Sequence, residues 1–173
     1  MKSGYKLSAV DIFCGCGGLS EGFSQAGFEI ILGIDTDPWA IKTYNKYHGD
    51  RGRIRDVTEV DADYVYNESG RKAVDVLIGG PPCQAFSNIG VAKWRSVGMP
   101  STIKHPLNTL YKEFLRLVLD LNPKFFVIEN VERMLSIKEG IVKRTIELAL
   151  RGKYYVSFYV KNVADFGVPQ HRK

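Results

Sequence analysis

The cysteine best placed for chemistry in this sequence is Cys83, which follows the stretch Gly79-Gly-Pro-Pro. Two successive prolines restrict the backbone in front of the thiol, and rigid presentation favours a nucleophile. The unperturbed pKa of a cysteine is about 8.5, so the thiolate needs a nearby positive charge or a proton acceptor at neutral pH. A stiff turn without chemistry is the alternative interpretation.

A second candidate, Glu129, stands with Asn130 after the apolar run Phe125-Phe-Val-Ile128. Gly79 likewise ends an apolar run, so both motifs follow predicted strands. Ligands of open α/β folds bind at the carboxyl ends of parallel strands, so we expect Cys83 and Glu129 at one edge of the sheet. Polar residues end ordinary strands too, so this pair is not specific by itself.

The glycine-rich segment Asp11-Ile-Phe-Cys-Gly-Cys-Gly-Gly18 lies where a predicted strand turns into a predicted helix. Its glycines let backbone approach a ligand, and the helix start offers free N–H donors, which suits a nucleotide. It is not the dinucleotide fingerprint, because Ser20 stands where the third glycine is required. Asp35, at the end of the next strand, can accept both ribose hydroxyls. A structural turn and a helix cap at Asp35 are the alternatives, although Asp37 can already cap that helix.

Composition and charge narrow the class of protein. Three cysteines in a chain without an export signal indicate thiols in a reducing compartment. Cys14 and Cys16 supply two ligands where a structural zinc takes four, so no metal is expected and both are predicted to be packing residues. A formal net charge of +5 permits nucleic-acid binding without establishing it.

The localisation expected from sequence is cytoplasmic and nucleoid-associated. Every apolar run falls far short of the roughly 18 residues that cross a bilayer. The amino-terminal segment also lacks the apolar region of a signal peptide.

Short β-rich runs alternate with helix-like segments, which is typical of an α/β domain with a mostly parallel sheet. Asp37 and Pro38 mark a helix start as N-cap and first helical residue. The predicted strands are residues 7–13, 29–35, 73–78, 124–129 and 154–161, and the predicted helices are residues 19–26, 38–47, 110–121 and 137–150.

The least regular stretch covers residues 87–106. A loop of this length inside a compact domain is usually a lid or a binding loop. We expect Lys93, Arg95 and Lys104 to contact phosphates from it. A solvated insertion is the alternative.

Four motifs occur in an order that resembles the amino-terminal catalytic portion of the C5-cytosine DNA methyltransferase family, and they cover nearly the whole chain: Asp11-x-Phe-x-Gly-x-Gly-Gly18, Pro81-Pro-Cys-Gln84, Glu129-Asn-Val131 and Gln170-x-Arg172. The resemblance implies a Rossmann-like fold of the class I methyltransferases, with S-adenosylmethionine as cofactor. It also implies roles for individual residues. The cofactor site is lined by Phe13, Gly15, Gly17 and Gly18, and the ribose is held by Asp35. The adenine is flanked by Asp56 and Val57, and the pocket is closed by Pro82 and Leu110.

The chemistry implied by the resemblance explains the catalytic residue types. Cytosine C5 is a poor nucleophile, and attack of the Cys83 thiolate on C6 turns the ring into an enamine that accepts a methyl group at C5. Glu129, in its protonated form, donates to N3, and Arg172 contacts the base or that carboxyl group. The implied partner is double-stranded DNA, whose target cytosine is flipped out of the stack.

The chain departs from the family pattern at three places. Thr36 stands where several relatives carry an adenine-stacking tryptophan, and residues 105–109 replace an Asp-x-Arg element. The sequence ends at Lys173, where the family continues into another strand, a target-recognition domain and a closing helix. We therefore expect residues 1–173 to form a partial catalytic and cofactor-binding domain, truncated before the last core strand. Alone it should be weakly active or inactive, and a second polypeptide would supply the rest.

Two other functions stay open from sequence. A related branch of the family methylates cytosine in transfer RNA with the same cysteine and glutamate. The chain is alternatively a non-catalytic remnant or a subunit of a split methyltransferase, although Cys83 and Glu129 are both present.

Overall fold

The computed structural model describes residues 6–82 and 110–172, which divide into two compact units. The first unit contains residues 6–82 and 110–129, and the second contains residues 130–172. Cys83 and the predicted loop 87–106, with Lys93, Arg95 and Lys104, lie outside the described residues.

The first unit is built on a parallel sheet of the strands β1 (Ser8–Ile12), β2 (Glu29–Asp35), β3 (Gly52–Ile54), β4 (Val76–Gly79) and β5 (Phe125–Ile128). Their order in the sheet is β3-β2-β1-β4-β5. The chain adds β2 and β3 on one side of β1 and then β4 and β5 on the other. The connections therefore diverge on either side of β1, which is where open sheets of this kind bind ligands. This confirms the α/β class and the parallel sheet.

Four α-helices and one 3₁₀ turn accompany the described strands of this unit. Asp37 caps the second helix, because its Oδ1 accepts from Trp39 N at 2.8 Å and from Ala40 N at 3.2 Å. No helix within residues 6–82 and 110–172 has the length and apolar character of a membrane span. The elements are α1 (Gly18–Gln25), α2 (Pro38–His48), η1 (Val57–Glu59), α3 (Ala62–Ser69) and α4 (Leu110–Leu121).

Tyr44 of α2 is fully buried, and its ring packs against the sheet. A Cβ at Gly33 of β2 would overlap the Tyr44 ring, and a Cβ at Gly52 of β3 would lie 3.0 Å from it. The two glycines therefore create the space that the aromatic ring fills, and they orient α2 across β2 and β3.

A buried polar cluster joins the amino ends of β1, β4 and β5. Asp75 Oδ2 accepts from Ser8 N at 2.8 Å and from Ser8 Oγ at 2.9 Å. Asp75 Oδ1 pairs with Lys124 Nζ at 2.7 Å, so the buried carboxylate has partners on both neighbouring strands. This cluster sets the register at the edge opposite to the predicted site.

The second unit contains short helical segments: α5 (Arg133–Ser136), η2 (Ile137–Gly140), α6 (Ile141–Ala149) and η3 (Val163–Phe166). The continuous helix predicted for residues 137–150 is wrong, because Glu139 and Gly140 have φ values of 58° and 79°. Left-handed backbone at two successive residues interrupts an α-helix, and α6 begins only after it.

The strand predicted for residues 154–161 is also wrong. Exposed and half-buried residues alternate there, as in a strand, but no residue in the described ranges forms a ladder with them. Tyr155 and Tyr159 are 96% and 76% exposed. Alternation alone predicted the strand, whereas a strand also needs a hydrogen-bonded neighbour.

Gly79 allows β1 and β4 to approach closely at the edge where the predicted site lies. A Cβ at Gly79 would overlap the backbone carbonyl oxygen of Ile12, which cannot move without disturbing β1. We expect Gly79→Ala to lower the free energy of unfolding by about 3 kcal/mol. Urea unfolding followed by circular dichroism measures it.

Gly22→Ala is the matched control for this substitution. Gly22 lies inside α1, and a Cβ there meets nothing within 4 Å. Alanine should raise the free energy of unfolding by about 0.5 to 1 kcal/mol through its helix propensity. Equal unfolding midpoints for the two variants would contradict the close approach of β1 and β4.

Candidate active site

The carboxyl ends of all five parallel strands meet at one edge of the first unit. Ile12 lies opposite Ile34 and Gly79, and Gly79 lies opposite Ile128. The segments that follow these strands therefore lie side by side. They include every residue of the first unit assigned to the site from sequence within the described ranges, except Asp35 and Leu110. Asp35 is the last residue of β2, and Leu110 is half-buried and begins α4.

The turn after β1 presents open backbone. Phe13, Gly15 and Gly17 have φ values of 64°, 51° and 97°, so the chain reverses sharply before α1. A Cβ added at Gly15 or Gly18 meets nothing within 4 Å, which leaves their backbone accessible to a ligand. Glycine is required at position 17 for a different reason, because a Cβ on Gly17 would overlap the His48 ring.

The Asp35 carboxylate connects two of these segments. Its Oδ2 accepts from Gly15 N at 2.9 Å, and its Oδ1 accepts from Asp37 N at 2.9 Å. Each carboxylate oxygen has a second acceptor site, which a ribose hydroxyl can use. The helix-cap alternative for Asp35 is wrong, since the Asp37 side chain caps α2.

Asp56 and Val57 follow β3, the strand next to Asp35. Asp35 lies opposite Ile54 in the parallel register, and Arg55 N donates to Asp35 O at 3.0 Å. Asp56 Oδ1 accepts from Thr58 N at 2.9 Å and from Thr58 Oγ1 at 2.7 Å, and these bonds hold the pKa of the carboxyl below its usual value. The exposed carboxylate therefore stays ionised at the start of η1.

Glu129 lies against the segment that leads to Cys83. Glu129 N donates to Gly79 O at 2.9 Å, which extends the pairing of β4 and β5 by one residue. A Cβ at Gly80 would lie 3.2 Å from Glu129 Oε2, so glycine leaves room for the carboxyl group. Pro81 is buried and Pro82 is half-buried. The structure thus brings Glu129 to the Gly-Gly-Pro-Pro segment, whereas Cys83 itself lies outside the described residues.

Asp11, the first residue of the glycine-rich segment, is a buried carboxyl group at this edge, and the sequence predicts no role for it. Its Oδ2 accepts from Ser20 Oγ at 2.7 Å and from Ser20 N at 3.2 Å, and Ser20 Oγ also contacts Tyr44 Oη at 2.9 Å. Burial raises the pKa of Asp11 to about 7. Within the described residues, Asp11 Oδ1 has no hydrogen-bond partner.

These features fit S-adenosylmethionine, which carries a ribose, an adenine and a cationic amino acid. Open backbone at Gly15 and Gly18 allows close approach, and Asp35 offers acceptors for ribose hydroxyls. The buried oxygen of Asp11 offers one more acceptor next to the same turn. The residues present therefore fit the cofactor, and their individual roles stay predictions.

Cys14 and Cys16 differ in their surroundings. Cys14 is buried in the core cluster, as predicted for a packing residue, but Cys16 is exposed, so the packing prediction is wrong for Cys16. Burial raises the pKa of the Cys14 thiol far above its usual value, which makes it unreactive. The described part of the chain contains no cluster of three or more side chains suited to a metal ion.

Arg172 lies in the second unit, in a turn held by its backbone. Arg172 N donates to Asn162 Oδ1 at 3.1 Å, and Val163 N donates to Arg172 O at 2.9 Å. The Asn162 side chain also accepts from Ala164 N at 3.3 Å and so caps η3. The Gln-x-Arg motif is therefore ordered by Asn162, and the role of Arg172 stays a prediction.

The family model for C-5 cytosine-specific DNA methylase matches residues 7–173. The chain belongs to this family. It is 40% identical over 168 residues to the type II methyltransferase M1.HphI of Haemophilus parahaemolyticus, covering 96% of this chain and 44% of that relative. It is 35% identical to the type II methyltransferase M.AquIA of Picosynechococcus, covering 95% of this chain and 68% of that relative.

The fold is shared with solved methyltransferases. The S. pombe Dnmt2 methyltransferase superposes with a TM-score of 0.70 at 20% identity, covering 97% of this chain and 47% of that chain. This chain therefore has the Rossmann-like fold of solved methyltransferases. The chain spans only 37% to 44% of the length of four curated relatives that it matches.

Proposed function

We propose that this chain is the cofactor-binding and catalytic portion of a DNA cytosine-5 methyltransferase. The observation that carries the proposal is the position of Glu129 against Gly80, within a chain whose family is C-5 cytosine-specific DNA methylase. That position supports a proton donor close to the segment that presents Cys83.

In the first step, the Cys83 thiolate adds to C6 of the target cytosine. A carbon–sulfur bond forms, and the electron pair of the C5–C6 double bond moves toward N3. Glu129 gives its proton to N3 and so removes the negative charge that the addition creates. The parallel register of β4 and β5 holds the Glu129 backbone beside Gly79, which orients the carboxyl group over the same segment.

In the second step, the enamine carbon C5 takes the methyl group and becomes tetrahedral, and the ring regains its aromatic form only when the C5 proton and the cysteine leave. When bound, S-adenosylmethionine supplies a methyl group on a sulfonium sulfur, which keeps the bonding electrons as the methyl group leaves. A base then removes the C5 proton, the carbon–sulfur bond to Cys83 breaks, and the N3 proton returns to Glu129. The cysteine and the carboxyl group end in the states in which they began.

The cofactor is held by the segments after β1, β2 and β3. Gly15 and Gly18 offer open backbone, Asp35 holds the ribose, and Asp56 with Val57 flanks the adenine. Phe13 and Gly17 shape the first turn, and Pro82 and Leu110 close the pocket. The catalytic role of Arg172 stays a prediction from sequence.

Double-stranded DNA is the proposed substrate, and a cytoplasmic, nucleoid-associated location follows from it. The family description names DNA, and the relatives above carry the name type II methyltransferase, so DNA has more support than transfer RNA. Phosphate contacts of Lys93, Arg95 and Lys104 and a second polypeptide stay predictions from sequence.

The proposal is tested in a protein that extends this chain to the length of its curated relatives, by measuring transfer of a radiolabelled methyl group from S-adenosylmethionine to DNA and to transfer RNA in parallel. The same extended protein is the parent for the variants of Cys83 and Glu129. We expect label in DNA, released as 5-methylcytosine after digestion. Label in transfer RNA alone would favour the alternative substrate. Binding of cofactor and DNA without any transfer or covalent capture would favour a non-catalytic remnant.

A further inference from the structure

Arg116 of α4 reaches across to the segment after β3. Its Nη2 donates to Val57 O at 3.0 Å and to Val60 O at 2.8 Å. These carbonyls lie at the two ends of the η1 turn, which Val57 and Val60 anchor through buried side chains. A cationic donor on two carbonyl oxygens makes stronger hydrogen bonds than a neutral one.

The other donors of Arg116 are occupied along its own helix. Nε pairs with Glu113 at 2.8 Å, and Nη1 pairs with Asp120 at 3.1 Å. These residues stand three positions before and four positions after Arg116, which is the spacing of neighbours on one helix face. Both carboxylates therefore orient the planar guanidinium, and Nη2 remains for the turn. An ordinary surface ion pair would not require contacts with two carboxylates and two carbonyl oxygens at once.

The turn that Arg116 holds carries Asp56 and Val57. Thr58 occupies Asp56 Oδ1 with two hydrogen bonds, and the exposed carboxylate keeps Oδ2 as an acceptor for an amino group. The position of that acceptor depends on the turn, and the turn depends on Arg116. The bonds join residues 59 and 56 positions apart, so no local interaction substitutes for them.

We propose that Arg116 is a positioning residue for adenine recognition, acting through the η1 turn rather than by touching the cofactor. This inference rests on the proposed function, because it takes Asp56 and Val57 as the residues that flank the adenine. Arg116 sets the position of the Asp56 carboxylate and thereby the preference for adenine over a base without its amino group.

The test compares Arg116→Met and Arg116→Lys with Arg71→Met in the full chain. Arg71 is the matched control, because it pairs with Glu29 at 2.7 Å in the same unit and has no bond to η1 among the described contacts. Calorimetry measures the dissociation constants for S-adenosylhomocysteine and for its inosine analogue, in which oxygen replaces the adenine amino group. Hydrogen exchange follows the amides of Glu59 and Val60, which bond within the turn.

We expect Arg116→Met to weaken binding of the adenosine ligand by about tenfold and to weaken the inosine ligand much less. The amides of Glu59 and Val60 should exchange faster, whereas Arg71→Met should change neither readout. Arg116→Lys keeps the charge but loses the planar fork, so it should also reduce the preference for adenine. If Arg116→Met does not fold, the ligand preference of Arg116→Lys tests the role of Arg116 instead.

Three results would overturn either the role of Arg116 alone or the proposed function as well. An unchanged preference in both Arg116 variants, with a parent protein that binds and discriminates, would overturn the role of Arg116 alone. An equal loss for both ligands would show that Arg116 serves general stability, which also overturns it. A parent protein that binds neither ligand would overturn the proposed function, and this inference with it.

Discussion

Replacing Cys83 with alanine is expected to abolish methyl transfer completely. The mechanism needs a covalent bond from sulfur to cytosine C6, and no change of conformation provides another nucleophile at that atom. Of the other two cysteines, Cys14 is buried and unreactive and Cys16 stands in the turn after β1. Transfer of a radiolabelled methyl group to DNA measures the loss.

Capture by 5-fluorocytosine in DNA gives an independent readout of the same bond. Fluorine at C5 cannot leave as a proton does, so the parent protein should stay attached to the DNA and shift on a denaturing gel. Cys83→Ala should give no shifted band, and Cys16→Ala, which removes an exposed thiol, should give the full band. A shifted band from Cys83→Ala would reject the assignment of the nucleophile.

Replacing Glu129 with glutamine is expected to lower kcat by about 10²- to 10³-fold, which is the usual effect of losing one group that stabilises transition-state charge. Glutamine has nearly the same shape, so it should fit beside Gly80 as the native side chain does. It cannot give up a proton to N3, so the negative charge on the ring stays unrelieved. Single-turnover kinetics with saturating cofactor and DNA measure the rate of the chemical step.

The affinities of Glu129→Gln for cofactor and DNA distinguish a slower chemical step from misfolding. Both should stay within about threefold of the parent values, because a change confined to the transition state leaves ground-state binding intact. Glu147→Gln, an exposed carboxylate on α6, is the control and should keep the parent rate. A chemical step in Glu129→Gln that equals the parent rate would remove Glu129 from the mechanism.

Where local signals agree, the sequence predicts the fold closely. The bounds of β2 and α4 match the predictions residue for residue, because an apolar run and an amphipathic run each stop at polar or turn-forming residues. Asp37 and Pro38 mark the start of α2, as capping chemistry requires. The strand β3 was missed, since Gly52-Arg-Ile54 is three residues long and has no apolar run.

The failures arise where structure depends on distant partners or on a single backbone angle. Gly140 stands inside a helical pattern, and its left-handed conformation breaks the helix that periodicity predicted. For residues 154–161, alternation predicted a strand that no described residue pairs. The local pattern of a segment does not show whether a neighbouring strand is present to pair with it.

The residues of the site also divide into those that local sequence predicts and those whose contacts depend on distant partners. Motif residues such as Asp35 and Glu129 could be located from sequence, because each ends a recognisable strand. The contacts of Asp11 with Ser20 and of Arg116 with Val57 could not, since they join residues that only the folded sheet brings together. Nothing in the sequence around Arg116 distinguishes it from any other arginine on a helix.

The strand order has a consequence for how the protein is made. Strands β1 to β4 and the segments from Phe13 to Val57 all precede Cys83 in the chain, and only β5 and α4 come later in this unit. A growing chain leaves the ribosome amino terminus first, and its domains fold as units. Four adjacent strands can therefore pair, and the cofactor segments can come together, before Glu129 has been synthesised, because residues 80–128 separate it from β4. β5 then extends the sheet by adding to the open side of β4, bringing Glu129 to an edge that is already formed.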